Sequence, residues 1–116
     1  MGFSPAAMIV GANAIRATFV KMKLHSNDPG NGGAANATTA GVQTFTWGAA
    51  TNDGDFDLAA PVNFSGGPPL GAVTHCSLWN SDETVWGGNF VLTGDQTFNS
   101  AGEYVVTALP QNGSSS

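Results

Sequence analysis

Apolar and polar residues alternate most cleanly over residues 20–25, where Val20, Met22 and Leu24 interleave with Lys21, Lys23 and His25. A period of two is the mark of a half-buried β-strand. Ahead of it the period lengthens. Met8, Ala12, Ile15 and Phe19 recur every three or four residues and form one apolar helix face. Ser4 and Pro5 supply an N-cap and a first-position proline. The spacing predicts a helix over residues 5–16, weakened by Gly11 and Asn13, before Thr18-Phe19-Val20 turns strand-like.

The first strand ends in a dense turn signal, Ser26-Asn27-Asp28-Pro29-Gly30, and residues 31–41 read as a long surface loop of Gly, Ala, Asn and Thr. Alternation resumes over 42–47 and puts Phe45 and Trp47 on one face. A turn at 51–54 precedes a strand over 56–64, which Pro61 marks as an edge or a bulge. The strongest strand spans 72–79, with Val73, His75, Ser77 and Trp79 opposed to Ala72, Thr74, Cys76 and Leu78. Neither face is strongly polar, so this strand is expected at the centre of a sheet. A hairpin-like turn at 80–83 leads to strands at 84–86 and 89–93, broken by Gly87-Gly88. Short strands at 95–98 and 103–109 complete the pattern, and residues 111–116 are expected to be a flexible tail. One helix and about seven strands, with turns roughly every 8–12 residues, predict a mainly β fold. The expected form is a single-domain antiparallel β-sandwich over residues 1–110 with a short N-terminal helix.

Composition agrees and adds one unusual feature. Charged residues make up 9% of the 116-residue chain, against roughly a quarter in ordinary soluble domains. Such a surface suits a subunit largely covered by partners. The net charge is −5, and the three basic residues, Arg16, Lys21 and Lys23, lie in one short stretch. No basic field exists for phosphate, so neither nucleic acid nor an anionic membrane is an expected partner. The N-terminal residues carry no charge ahead of their apolar segment, so no export signal is expected.

Candidate chemistry is sparse. Cys76, the single cysteine, sits in an apolar run and reads as a buried small side chain. His75 beside it points to the opposite strand face and cannot act as its base. Alternating acids at Asp53, Asp55 and Asp57 are spaced like the start of a calcium loop but lack the distal glutamate, and they read as turn caps. His25 and His75, with Asp28, lack metal-ligand spacing. No acid/base pair, Gly-x-Ser-x-Gly or phosphate loop is present, so neither an enzyme nor a cofactor is expected. Trp47, Trp79, Trp86 and Tyr104 allow a sugar platform, although strand aromatics more often serve core or interface.

Two segments carry a resemblance. Leu24-His25-Ser26-Asn27-Asp28-Pro29-Gly30, followed by a Gly/Ala/Asn-rich loop, is one. Val73-Thr74-His75 with Trp79 downstream is the other, and Val85-Trp86-Gly87-Gly88-Asn89-Phe90 and Ala101-Gly102-Glu103 to Leu109 follow in the same order. Together they resemble small minor tail proteins of long-tailed phages of actinobacteria. Cys76-Ser77, Thr38-Thr39 and Gln43-Thr44 depart from that pattern. The resemblance implies a virion structural protein of the distal tail or tail tip, assembled in the host cytoplasm. Its expected partners are copies of itself, as a trimer or other cyclic assembly, and other virion proteins. The signature residues are then His25, Asp28, Pro29, Gly30, Thr74, His75 and Trp79. Asp28-Pro29-Gly30 is expected to form a tight turn, and His75 to bond a backbone group of that turn or of the helix end. Asn31, Asn36, Thr38 and Thr39 are the candidate interface. A capsid decoration protein is the first alternative, and a host-surface glycan-binding module using Trp47, Trp79 or Trp86 the second.

Overall fold

Ser4 starts the helix as its pattern demands. Its hydroxyl accepts the Ala7 N–H at 3.3 Å, and α1 runs Pro5–Thr18, two residues past the expected end. The computed structural model describes residues 4–50 and 54–111. Ala12 of α1 is buried, but Ile15 is 43% exposed, so only part of the expected apolar face is covered. Arg16 ties the helix down, its Nε donating to the Gly48 carbonyl at 2.6 Å.

Six strands form among the described residues: β1 (Phe19–His25), β2 (Gln43–Thr44), β3 (Val62–Phe64), β4 (His75–Asn80), β5 (Trp86–Val91) and β6 (Tyr104–Val106). They make two antiparallel sheets, one of four strands in the order β2-β1-β4-β5 and one of two, β3-β6. The chain is therefore mainly β with one helix. The seven-strand pattern overcounts. Residues 84–86 and 89–93 join into the single strand β5, and Gly87-Gly88 is a bulge opposite Leu78/Trp79. The expected strand at 95–98 contributes only an isolated bridge, Ala72 to Thr97. The 56–64 strand begins in earnest only after Pro61, which lacks the N–H a ladder needs.

β4 lies inside its sheet, between β1 and β5. Met22, Leu24, Cys76 and Leu78 face a core that also takes Val62, Phe64, Tyr104 and Val106 from the smaller sheet. Trp47 anchors one end of it, edge-on to Phe45 at 5.0 Å and to Phe56 at 4.9 Å, with its indole N–H donating to the Phe19 carbonyl. Such T-shaped pairs add to plain burial. Gln111, expected in the tail, instead pairs with Phe56 through two backbone hydrogen bonds. The rest of the expected tail, residues 112–116, lies outside the described residues. So does Asp53; Asp57 accepts the backbone N–H groups of Leu58 and Leu109, at 2.7 and 2.6 Å.

Candidate functional site: a loop clasped to the outer sheet face

The outer face of the four-stranded sheet carries the alternating partners of the core residues: Lys21, Lys23 and His25 of β1, and His75, Ser77 and Trp79 of β4. By pattern His25 belongs with the lysines at the surface. It is instead fully buried, because residues 26–38 fold back over it.

This segment is tied down at many points. Ser26 N–H donates to the Asn36 carbonyl, Ala35 N–H to Pro29, Thr38 N–H to Leu24, and Ala37 bridges His25. The surface loop expected at 31–41 is exposed over most of its length and forms a returning arm, with Ala37 and Thr38 paired along β1. The tight Asp28-Pro29-Gly30 turn also differs. The Asp28 carboxylate accepts the Gly30 N–H at 2.9 Å, while the hydrogen-bonded turn runs from Gly30 to Gly33. Pro29 is not a solvent-facing corner but a fully buried plug. Gly30, at φ +73°, fulfils the expected positive φ.

A network of side-chain hydrogen bonds clasps the arm to the sheet. His25 Nδ1 lies 2.8 Å from the Ala35 carbonyl and Nε2 lies 2.7 Å from Ser77 Oγ. A carbonyl only accepts, so Nδ1 carries the proton and Nε2 accepts from the Ser77 hydroxyl. Ser77 Oγ in turn accepts the Trp79 indole N–H at 2.8 Å. Thr74 Oγ1 donates to the Ser26 carbonyl at 3.1 Å and lies 2.8 Å from His75 Nδ1. Asn89 Nδ2 donates to the Gly30 carbonyl at 2.8 Å, and the Trp86 ring lies where a side chain on Gly33 would stand.

The two signature segments, about fifty residues apart in the chain, therefore meet in one cluster. His25, Asp28, Pro29, Gly30, Thr74, His75 and Trp79 all take part or border it. The backbone bond expected of His75 is made by His25, and His75 reaches the turn only through Thr74. Among the candidate interface residues, Asn31 is exposed; Asn36 is exposed but donates to the Asp28 carbonyl. Thr38 is half-buried and donates to Leu24, and Thr39 donates to Gly66. The sequence pattern does not single out Ser77 or Asn89. Ser77 has the parity of His75 and Trp79, and a small hydroxyl between two such neighbours is the one signal that points to it.

The electrostatics follow from burial. Desolvation holds the His25 pKa below 6.5, helped by Lys23 and His75 and opposed by the Ala35 carbonyl. Above pH 6.5 the folded and unfolded chains both hold this imidazole neutral. As pH falls through 6.5, the unfolded chain takes up a proton that the folded chain resists, so stability falls until the lower folded pKa is reached. We expect the thermal midpoint to drop more steeply between about pH 7 and pH 5 in the native chain than in His25→Gln. Equal slopes in the two proteins would show that His25 does not titrate this way.

The Ser77–His25 pair has the spacing of a nucleophile and its base. Both residues are fully buried, and Ser77 Oγ already receives the Trp79 N–H. Cys76 lies on the opposite, core face, where burial pushes its thiol up to about 12. The three basic side chains are committed within the chain. Lys21 and Lys23 reach Glu83 at 3.7 and 3.1 Å, Lys23 Nζ stands 4.5 Å over the Trp79 ring, and Arg16 is held by Gly48 and Asn13. Trp47 and Tyr104 are buried, so the four aromatics do not form one platform. Among the described residues no helix is long and apolar enough to cross a membrane.

Comparison with known protein families, with characterised proteins and with solved structures finds no match to this chain.

Proposed function

We propose that the chain is a non-enzymatic virion structural subunit, a phage minor tail protein assembled symmetrically in the distal tail or tail tip. One observation carries the reading. Signature residues of that resemblance, His25, Asp28, Pro29, Gly30, Thr74, His75 and Trp79, take part in or border the clasp, and the clasp holds out a shaped arm whose exposed side chains are nearly uncharged. The paired His25 and Ser77 are buried inside this device. The exposed valines and leucine, Val10, Leu70, Val85, Val91 and Val105, suit a surface meant for protein partners.

A capsid decoration protein would use the same construction at another place in the particle. Quantitative mass spectrometry of purified virions separates the two. A few copies per particle support the tail, hundreds support the capsid, and absence from the particle overturns both.

A second reading, binding of a host glycan, draws on a groove of about 600 Å³ beside the smaller sheet. Asn63, Thr93, Asp95, Asn99, Glu103 and Thr107 line it with amides, hydroxyls and carboxylates suited to neutral sugar hydroxyls. Titration with neutral oligosaccharides, followed by NMR shifts of the Asn63 and Asn99 amides, tests it; unmoved signals overturn it.

A further inference from the structure

β5 is the outermost strand of its sheet, and its free side can be worked out from the register. Leu92 N–H donates to the Thr74 carbonyl, so the paired residues alternate from there. Phe90 turns its backbone groups toward Cys76 of β4, while Asn89 and Val91 turn theirs outward. Among the described residues, no other backbone segment bonds to them from that side. Val91 is 63% exposed.

Native edges are usually guarded by a charge or a proline. Residues 84–93 contain neither, and the bulge at Gly87-Gly88 lies before the Asn89–Val91 stretch. The other open edges are short, two residues in β2 and three each in β3 and β6. Next to β5, on the core side, an open cleft of about 120 Å³ runs between Ile15, Phe19 and Phe90 with Trp47 and Leu78 beneath. That is room for one more aliphatic or aromatic group.

We infer that β5 is a self-association edge, pairing antiparallel with β5 of a second copy. A two-fold axis at Phe90 sets Asn89 opposite Val91 of the other copy, and Val91 opposite its Asn89. Both are the outward-facing residues, so each pairing closes two main-chain hydrogen bonds and the interface closes four. The two sheets become one continuous eight-stranded sheet. The two Phe90 side chains then face each other across the axis, with Cα atoms about 4.5 Å apart, and cover the open clefts.

Self-complementarity selects a second copy over another strand, because the two-fold register sets each Phe90 beside the open cleft of the other copy. The chain carries a net −5, so copies repel each other over most of their surface. Residues 84–93 carry no charge, like the short edges β2, β3 and β6, and the nearby Glu83 is matched by Lys21 and Lys23, so that repulsion does not act across this edge. The pairing is isologous, as closed symmetric assemblies require. It stands apart from the virion reading, because it is measured on the isolated chain and not on particles.

Sedimentation equilibrium of the full chain over a concentration series tests it. The native chain is expected to reach twice the monomer mass. Val91→Lys places a charge on the edge, and Val91→Pro deletes an outward N–H while keeping the ladder to β4. Each is expected to weaken association by roughly a hundredfold while leaving the dilute thermal midpoint near the native value. Val105→Lys, an exposed valine of β6, keeps native association. Hydrogen exchange at the Asn89 and Val91 amides is expected to slow as concentration rises. A native chain that stays monomeric overturns the inference. So does a dimer that survives both Val91 variants, pairing through another chain's strand with the native chain monomeric, or a dimer whose Asn89 and Val91 amides exchange freely.

Discussion

Gly102→Ala will destabilise the fold by about 4 kcal/mol, a large share of what a chain this size has. Gly102 sits at φ +75°, and its N–H and carbonyl close a turn with Asn99 and Gly67. A Cβ there would land on the Gly67 carbonyl, which is backbone and has little freedom to yield. Gly67 cannot retreat, because the Phe98 ring occupies the space a Cβ on Gly67 would need. Three costs combine: about 1 kcal/mol for an alanine in the left-handed region, a further 1–3 kcal/mol or so of overpacking, and about 1 kcal/mol for the lost Gly67–Gly102 hydrogen bond. Gly94→Ala isolates the first. Its φ is +81°, and nothing lies within 4 Å of its would-be Cβ. Urea denaturation is expected to show a loss of about 1 kcal/mol at residue 94 and several times that at residue 102. Equal losses would mean that the close approach of Gly67 and Gly102 has no energetic consequence.

His25→Ala will cost about 3 kcal/mol, and its effect will be legible in place as well as in magnitude. Removing the imidazole leaves a void in a fully buried site and strips the Ala35 carbonyl and the Ser77 hydroxyl of a partner. The arm over residues 26–38 loses its central tie, so protease cleavage within it is expected to accelerate well before global unfolding. His25→Phe restores volume without hydrogen bonds and is expected to recover less than half of the loss. His75→Ala, half-exposed and bonded to Thr74 alone in the clasp, is expected to cost under about 1 kcal/mol. If His75→Ala proved the more damaging, the assignment of the two histidines would have to be exchanged.

The contrast between those histidines shows what local pattern can carry. Alternation places β1 within a residue, but starts β4 three residues early, and the absence of a polar face on 72–79 places β4 inside its sheet. Ser4-Pro5 locates the helix start because capping is a local matter. The same alternation assigns His25 to the solvent side. Its burial depends on an arm that docks from outside the strand, and no period within residues 20–25 records that. Pro29 fails in the same way. Local turn chemistry puts its ring at a corner, yet the docked arm turns it inward. The strand count comes out high because Gly87-Gly88 reads as a break where the strand only bulges, and because short runs satisfy a period of two without a ladder to join. Residues 95–98 and 107–109 are of this kind. The clasp itself is half legible. Its members stand out on two segments, but what joins them is Ser77, whose hydroxyl matters only because β1 and β4 set it beside His25.

The ladder between β1 and β4 also governs how the fold is reached. It joins residues such as His25 and Ser77 that are 52 apart in the chain. The β4–β5 pair needs only the turn at Asn80–Thr84, where the Asn80 side chain accepts the N–H groups of Thr84 and Val85. That hairpin is local and forms within microseconds, whereas closing the long loop to bring in β1 is slow. Refolding is expected in the range of milliseconds to seconds, with the hairpin present before the arm can seat. A newly made chain therefore spends its early life with the β5 edge formed and the clasp open.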